Sequence, residues 1–150
     1  MRGFTLLELL IVIGILAVLA AIGSGFYINY VRDSEVNSTA DNIISDLKST
    51  QAKSITGEDG RKWGIRFING ADDYYEIFST PTDYSDPAKT IQSTIYLPGS
   101  AYFTQPAELS NSTVIFDKIK GTTASSASIT VSSFSNKTKT ANITTVGNIY

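Results

Sequence analysis

FTLLELLIVIGILAVLAAI, from Phe4 to Ile22, is too apolar to lie on the surface of a protein in water. Only Thr5 and Glu8 interrupt it. As a helix it rises about 28 Å, close to the roughly 30 Å hydrocarbon core of a bilayer. Arg2 precedes it, and a basic residue at that end favours an orientation with the N-terminus inside the cell. The stretch predicts a single membrane-spanning helix.

Glu8 distinguishes this helix from an ordinary secretory signal or anchor. The apolar core of a cleaved signal peptide is usually ~7–15 residues long, shorter than this stretch. An ionised acid inside lipid costs about 3 kcal/mol even on lenient insertion scales. A plain anchor gains nothing from that cost. Glu8 is therefore a functional candidate that needs a positive partner.

Gly3–Glu8, with a short basic leader before it and an unbroken apolar helix after it, forms a composite motif. It resembles the prepilin signal of type IV pilins and type II secretion pseudopilins. The resemblance implies a leader at residues 1–3, cleavage between Gly3 and Phe4 by prepilin peptidase, and N-methylation of Phe4. It also implies that Glu8 pairs with the Phe4 amine of a neighbouring subunit during assembly.

The same resemblance implies the partners and the location of the chain. Its partners are other pilin or pseudopilin subunits, prepilin peptidase and an inner-membrane assembly platform, with membrane lipid around the helix before assembly. The chain is expected in the bacterial inner membrane as a single-pass protein, and then in a filament outside that membrane. The machine is a type IV pilus, a competence pilus or a type II secretion pseudopilus.

Apolar residues continue at helical spacing beyond the membrane stretch, which predicts one long helix from Phe4 to about Ile55. The spaced residues are Ile28, Val31, Ala40, Ile43, Ile44, Leu47 and Ile55. The helix is expected to be on the order of 78 Å long and to stop at Gly57. Residues 4–25 form its membrane and assembly part. Residues 26–56 form its amphipathic part, with the apolar stripe lying on a sheet.

Gly23 and Gly25 lie between the two parts of the predicted helix. They have two open interpretations, a hinge where the helix stretches or melts in a filament, or close packing between helices. No proline precedes Pro81 to break the helix.

Beyond Gly60 the apolar period changes to two, which predicts strands. The predicted strands are Trp63–Phe67, Tyr74–Phe78, Ile91–Leu97, Val114–Phe116, Ser128–Val131 and Ala141–Val146. Alternation with Ser and Thr favours an antiparallel sheet with one wet face. The fold class is therefore α+β, a long N-terminal helix packed on one antiparallel sheet domain at residues 57–150. The order of these segments is similar to that of GspH/FimT-like minor pseudopilins.

Composition excludes several chemistries. The chain has neither cysteine nor histidine, so disulfides, thiolate sites and the commonest general base are absent. No residue pair presents a nucleophile with its base, and we expect no enzyme, no cofactor and no metal site. Asp72, Asp73, Asp83 and Asp86 do not follow a dense calcium-loop pattern and are interpreted as turn residues.

Lys118, Lys120, Lys137 and Lys139 form a small basic set late in the chain. They suggest a weak, salt-sensitive DNA contact, although protection of edge strands is the simpler interpretation. The leading prediction is a structural subunit of a filament, with a minor role. Its competitors are a DNA- or surface-binding tip subunit and an unrelated single-pass anchored domain.

Overall fold

The computed structural model describes residues 5–150, apart from the surroundings of residues 23 and 24. One helix, α1, spans Leu6–Thr56, and a 3-10 turn follows at Glu58–Gly60. The strands are β1 Lys62–Asn69, β2 Tyr74–Thr80, β3 Thr90–Tyr96, β4 Ala101–Gln105, β5 Ser110–Phe116, β6 Ala127–Ser133 and β7 Thr138–Ile143. The predicted fold class, a long N-terminal helix packed on antiparallel sheet, is confirmed.

The helix ends where the sequence predicts. Gly57 caps it in the left-handed conformation, with φ 68°, and its N–H donates to the carbonyls of Lys53 and Ser54. A residue with a Cβ pays a steric cost in this conformation, whereas glycine adopts it freely. The chain can therefore turn sharply from α1 into the first strand.

The buried stripe of α1 is regular but starts later than its apolar pattern suggests. Its members are Val36, Ala40, Ile43, Leu47, Thr50 and Ser54. The spacing of alternating four and three residues keeps them on one face of the helix. The prediction was wrong for Ile28 and Ile55, which are 49% and 43% exposed. Ile28 precedes the stripe, and Ile55 is adjacent to Ser54 and so points to another side of the helix.

Thr50 and Ser54 extend the stripe with polar residues. The Ser54 hydroxyl donates to the carbonyl of Phe116 at 2.7 Å, so this buried oxygen is paired with a strand of the sheet domain. Burial of a hydroxyl without such a bond costs free energy. A hydrophobic pattern alone misses this end of the stripe because the burial depends on a partner 62 residues away.

Within the predicted antiparallel sheet domain, the strands form two sheets. The first has the order β3-β2-β1-β5 and the second the order β4-β6-β7, and all pairs are antiparallel. Six observed strands overlap the predicted ones, although β7 ends at Ile143, three residues before the predicted end at Val146. The short strand β4 was not predicted. It is an edge strand of the second sheet, where it pairs with β6.

Polar residues join the two sheets at both ends. At one end the buried Asn69 amide donates to the carbonyls of Phe103 and Pro106, at 2.9 and 2.8 Å. At the other end Thr123 forms a bridge with Phe116, and its N–H donates to the Thr145 carbonyl at 3.0 Å. These bonds join the two sheets to each other, and residues from α1 and both sheets share one core.

Gly64, the third residue of β1, is closely surrounded by atoms of the neighbouring strands β2 and β5. A Cβ at this position would lie 2.5 Å from the Val114 carbonyl oxygen and 2.8 Å from Cζ of Phe78. Backbone cannot yield to a methyl group without a shift of the strand. The close packing of Phe78 on the sheet therefore requires glycine here.

We expect Gly64→Ala to lower the free energy of unfolding by about 2 kcal/mol, because overpacking of a filled site costs roughly 1–3 kcal/mol. Fluorescence of the single tryptophan, Trp63, which is 1% exposed, reports the thermal unfolding of the full chain in detergent. Gly99→Ala is the matched control, since a Cβ there meets no atom within 4 Å. Equal melting temperatures for the two variants would contradict the close approach.

Candidate functional site

The start of α1 is fixed by Thr5 and Glu8. Thr5 has extended backbone, φ −80° and ψ 150°, and its Oγ1 accepts a hydrogen bond from the Glu8 N–H at 3.3 Å. A threonine N-cap with glutamate three positions later is the sequence pattern of a capping box. We did not predict this role of Thr5, although its position three residues before Glu8 indicates it. The cap places the first helical turn directly after Thr5.

Glu8 lies in that first turn and is exposed. Among residues 5–150, no ion pair involves its carboxylate. A negative charge is favourable near a helix N-terminus, where the backbone N–H groups are partly unpaired. Gly3 and Phe4, the residues of the predicted cleavage and methylation, lie outside the described residues.

The first half of α1 carries a continuous apolar surface that the described part of the chain leaves unburied. Its most apolar 18-residue window has a mean hydropathy of 2.8, and none of it is buried. Large apolar side chains between Leu6 and Ile22 are 44–82% exposed. By length and composition this helix is able to cross a membrane. The same surface is available for packing against other helices.

Aromatic side chains follow the apolar surface. Phe26, Tyr27 and Tyr30 are each at least 69% exposed, just before the helix meets the sheets. Tyr and Trp concentrate at the boundary between lipid and water, so the position of these tyrosines fits one boundary of a membrane span.

The predicted hinge remains a prediction. A Cβ on Gly25 would meet nothing within 4 Å, so packing inside one subunit does not require glycine there. Gly23 lies outside the positions whose surroundings the structure describes. Both earlier interpretations, a hinge and close packing with another helix, therefore stay open.

The four candidate lysines lie in two places. Lys139 pairs with Asp41 of α1 at 2.7 Å. The N–H of Lys137 donates to the Ser133 hydroxyl, which in turn donates to Asp33 of α1 at 3.2 Å. Lys118 and Lys120 instead flank Ile119, whose N–H donates to the Ser54 carbonyl. About 20 Å of helix separates Asp41 from Ser54. The structure does not bring the four lysines into one patch, and the DNA contact remains a prediction.

Asp73, Asp83 and Asp86 accept hydrogen bonds from backbone N–H groups, and Asp73 also links the turn after β1 to strand β4. The Asp73 carboxylate accepts from the N–H groups of Gly70 and Phe103, at 3.1 and 2.6 Å. Bonds from the Ser85 side chain and N–H lower the pKa of Asp83. Within residues 5–150, no group of three acidic side chains is placed to hold a metal ion.

Comparison with known proteins locates the similarity at the N-terminus. Residues 1–24 match the family described as the prokaryotic N-terminal methylation motif. The chain carries this motif. The motif implies a structural, non-enzymatic protein, and the apolar helix behind it is consistent with an inner-membrane prepilin.

A segment of 31 residues is 64% identical to the prepilin peptidase-dependent protein D of Escherichia coli K12. This segment covers 21% of the chain and 21% of that relative. No solved structure matches the chain. The pilin-like architecture therefore rests on the helix and sheets described above, and the similarity to GspH/FimT-like pseudopilins remains a proposal.

The second half of α1 is tied to the sheets by polar contacts as well as by its buried stripe. The hydroxyl of Tyr75, on β2, donates to the Asp46 carboxylate at 2.7 Å. Burial of the ring raises the pKa of Tyr75 above its usual value of 10.0, and the bond to Asp46 raises it further. The hydroxyl therefore stays protonated while it anchors the helix.

We expect Tyr75→Phe to lower the free energy of unfolding by about 1 kcal/mol, the usual net worth of one hydrogen bond. The variant should also lose less stability in alkali. Above pH 10.0 the tyrosine of the unfolded chain ionises while folded Tyr75 keeps its proton. The unfolded state then binds fewer protons, so stability falls as pH rises. Tyr96→Phe, at an exposed ring, is the control. Parallel pH curves for wild type and Tyr75→Phe would contradict this assignment.

Proposed function

We propose that this chain is a membrane-anchored, pilin-like subunit that prepilin peptidase processes and that assembles into a filament through the first half of α1. The observation that carries the proposal is the apolar, unburied surface of Leu6–Ile22, with Glu8 in its first turn and the methylation motif at the same end. The printed name of the E. coli relative, a prepilin peptidase-dependent protein, supports the processing step.

Processing changes the charge at the helix start. Hydrolysis of the Gly3–Phe4 bond removes the leader with Arg2 and leaves an amine on Phe4, which is then N-methylated. Gly3 has no side chain, so a protease can approach the scissile bond closely. The mature helix begins with one cation, and Thr5 starts the helix immediately behind it.

The new amine supplies the partner that Glu8 needs. In the membrane Glu8 carries the cost of an ionised acid in lipid, about 3 kcal/mol. In a filament the carboxylate of one subunit pairs with the Phe4 amine of its neighbour. The surrounding apolar helices exclude water, so this attraction is stronger than it would be at a surface. The pair therefore favours one stagger between helices and penalises others.

The apolar surface gives the subunit two successive environments. Before assembly, lipid covers Leu6–Ile22, with the N-terminus inside and the sheet domain outside the inner membrane. During assembly the same side chains leave lipid and pack against other helices. We assign the subunit a minor, GspH/FimT-like role in a type IV pilus, competence pilus or type II secretion pseudopilus, on the order of its strand segments.

We expect Glu8→Ala to be cleaved normally but to be absent from filaments, because the peptidase site is intact while the ion pair is lost. Mass spectrometry of protein from the native host should show a methylated Phe4 at the N-terminus of both wild type and variant. Filament content is measured in the sheared fraction by immunoblot.

Glu58→Ala is the matched control, since Glu58 is an exposed glutamate after the end of α1. It should be processed and assembled like the wild type. Normal incorporation of Glu8→Ala would remove the role of Glu8. A wild-type chain that still begins with Met1 would overturn the proposed function.

A further inference from the structure

We propose that the turn Lys118–Lys120 of one subunit inserts into a cleft at the opposite end of the sheet domain of a second copy. We call residues 118–120 the basic turn. The aromatic cleft is the cavity whose walls include Tyr96, Tyr102 and Phe134. The inference rests on the proposed function, to which it adds a contact between sheet domains beside the contact between helices.

The basic turn presents an apolar side chain that the fold does not use. Ile119 is 78% exposed and has a φ of 69°, a conformation that is rare for a β-branched residue. A hydrogen bond from Lys120 N–H to the Lys118 carbonyl, at 2.8 Å, closes the turn around it. Strained backbone of this kind persists where the surroundings hold it and where it serves a site. Here it projects Ile119 between two lysines.

The turn is held firmly at its base. The Ile119 N–H donates to the Ser54 carbonyl at 3.2 Å, which fixes the turn to the last part of α1. The Lys118 ammonium donates to the Gly60 carbonyl at 2.8 Å. Little conformational freedom is therefore lost when a partner binds, which favours affinity.

The aromatic cleft has a volume of about 720 Å³ and combines apolar walls with acidic residues. The rings of Tyr102 and Phe134 pack at 5.3 Å, yet Phe134 is 67% exposed and Tyr96 is 63% exposed. Asp72 and Glu108 also line the cleft. In the described part of the chain, no basic side chain forms an ion pair with either acid.

The two surfaces are complementary in chemistry. Ile119 suits the aromatic walls. Two lysines flank Ile119, and the cleft carries Asp72 and Glu108, which form no ion pair among residues 5–150. Interfaces commonly have this arrangement, an apolar anchor in a pocket surrounded by polar pairs. Opposite charges also favour the encounter of the right surfaces over like-charged ones. These features favour a second copy of the chain as the occupant.

The two surfaces lie too far apart to meet within one subunit. Ser100, next to the cleft residues Gly99 and Ala101, hydrogen-bonds Glu35 of α1, whereas the basic turn is bound at Ser54. About 28 Å of helix separates Glu35 from Ser54. The contact is therefore head-to-tail, and a head-to-tail contact that does not close into a ring builds an open filament.

The basic turn and Glu8 contact different neighbouring subunits. The pairing of Glu8 with the Phe4 amine requires a stagger of about 6 Å, four residues of helix. The 28 Å offset between the cleft and the basic turn is several times larger. A subunit therefore contacts a near neighbour through the helix start and a more distant one through its sheet domain.

Cysteine crosslinking in the full chain tests the contact, since the chain has no native cysteine. Ile119→Cys combined with Phe134→Cys is expressed in the native host and oxidised. A ladder of disulfide-linked multimers is expected, because each subunit then bonds both to the next and to the previous copy. Ile119→Cys combined with Gln92→Cys, at an exposed strand position outside the cleft, is the control and should give no ladder.

Charge reversal adds a second readout. Changing both Lys118 and Lys120 to Glu in the crosslinking variant should lower the ladder roughly tenfold, which corresponds to about 1.4 kcal/mol. Combination with Asp72→Lys and Glu108→Lys should restore it. Loss without restoration would overturn the pairing of these charges.

Ile119→Gly separates assembly from folding. Glycine relieves the positive φ, so the melting temperature should stay equal or rise, while the amount of filament falls. A normal amount of filament would overturn the role of the side chain.

The outcomes also separate this inference from the proposed function. Filaments of chains that begin at Phe4, without a ladder from the cysteine pair, would overturn the inference alone. So would disulfide-linked dimers from Ile119→Cys by itself, which would indicate contact between two basic turns. A chain that keeps Met1 and forms no filament would overturn the proposed function, and the inference with it.

Discussion

The structure depends on one mismatch of surface and solvent. From Leu6 to Ile22 the helix exposes apolar side chains that water cannot accommodate, and none of this surface is buried by the rest of the chain. The remainder of the chain is packed in the ordinary way, with Trp63, Phe67, Phe78 and Phe116 fully buried. The first half of the helix is thus suited to an environment of lipid or of other helices, and in the proposed function Glu8 restricts which of those arrangements is stable.

The second half of the same helix solves the opposite problem, attachment to a domain built from two sheets. Its buried stripe, Val36 to Ser54, lies on both sheets, and Tyr75 adds a polar anchor through Asp46. Asn69 and Thr123 join the sheets at their two ends. Because the helix is held at many points along this stripe, surfaces at both ends of the domain lie at fixed positions along the helix axis.

Local patterns predicted the helix, its stop at Gly57 and six strands, because each leaves a signal within a few residues. Long-range pairing was not predictable in this way. β4 has five residues and pairs with β6 about 26 residues later, so its place at the edge of the second sheet has no local signature. Thr50 and Ser54 look like surface residues until Phe116 is placed beside Ser54. Of the candidate site, the motif located Glu8, whereas the aromatic cleft is assembled from four separate segments and requires the fold.

Gln51 has a mechanical consequence. Its side-chain amide donates to the carbonyls of Gly121 and Gly147, at 2.8 and 2.7 Å, and so ties the loop after β5 and the segment after β7 to the helix. The segment after β7 also pairs back on Asn142 through the backbone of Tyr150. The Gln51 amide therefore couples the last residues of the chain to α1 directly, in addition to the contacts that the buried stripe makes with the sheets.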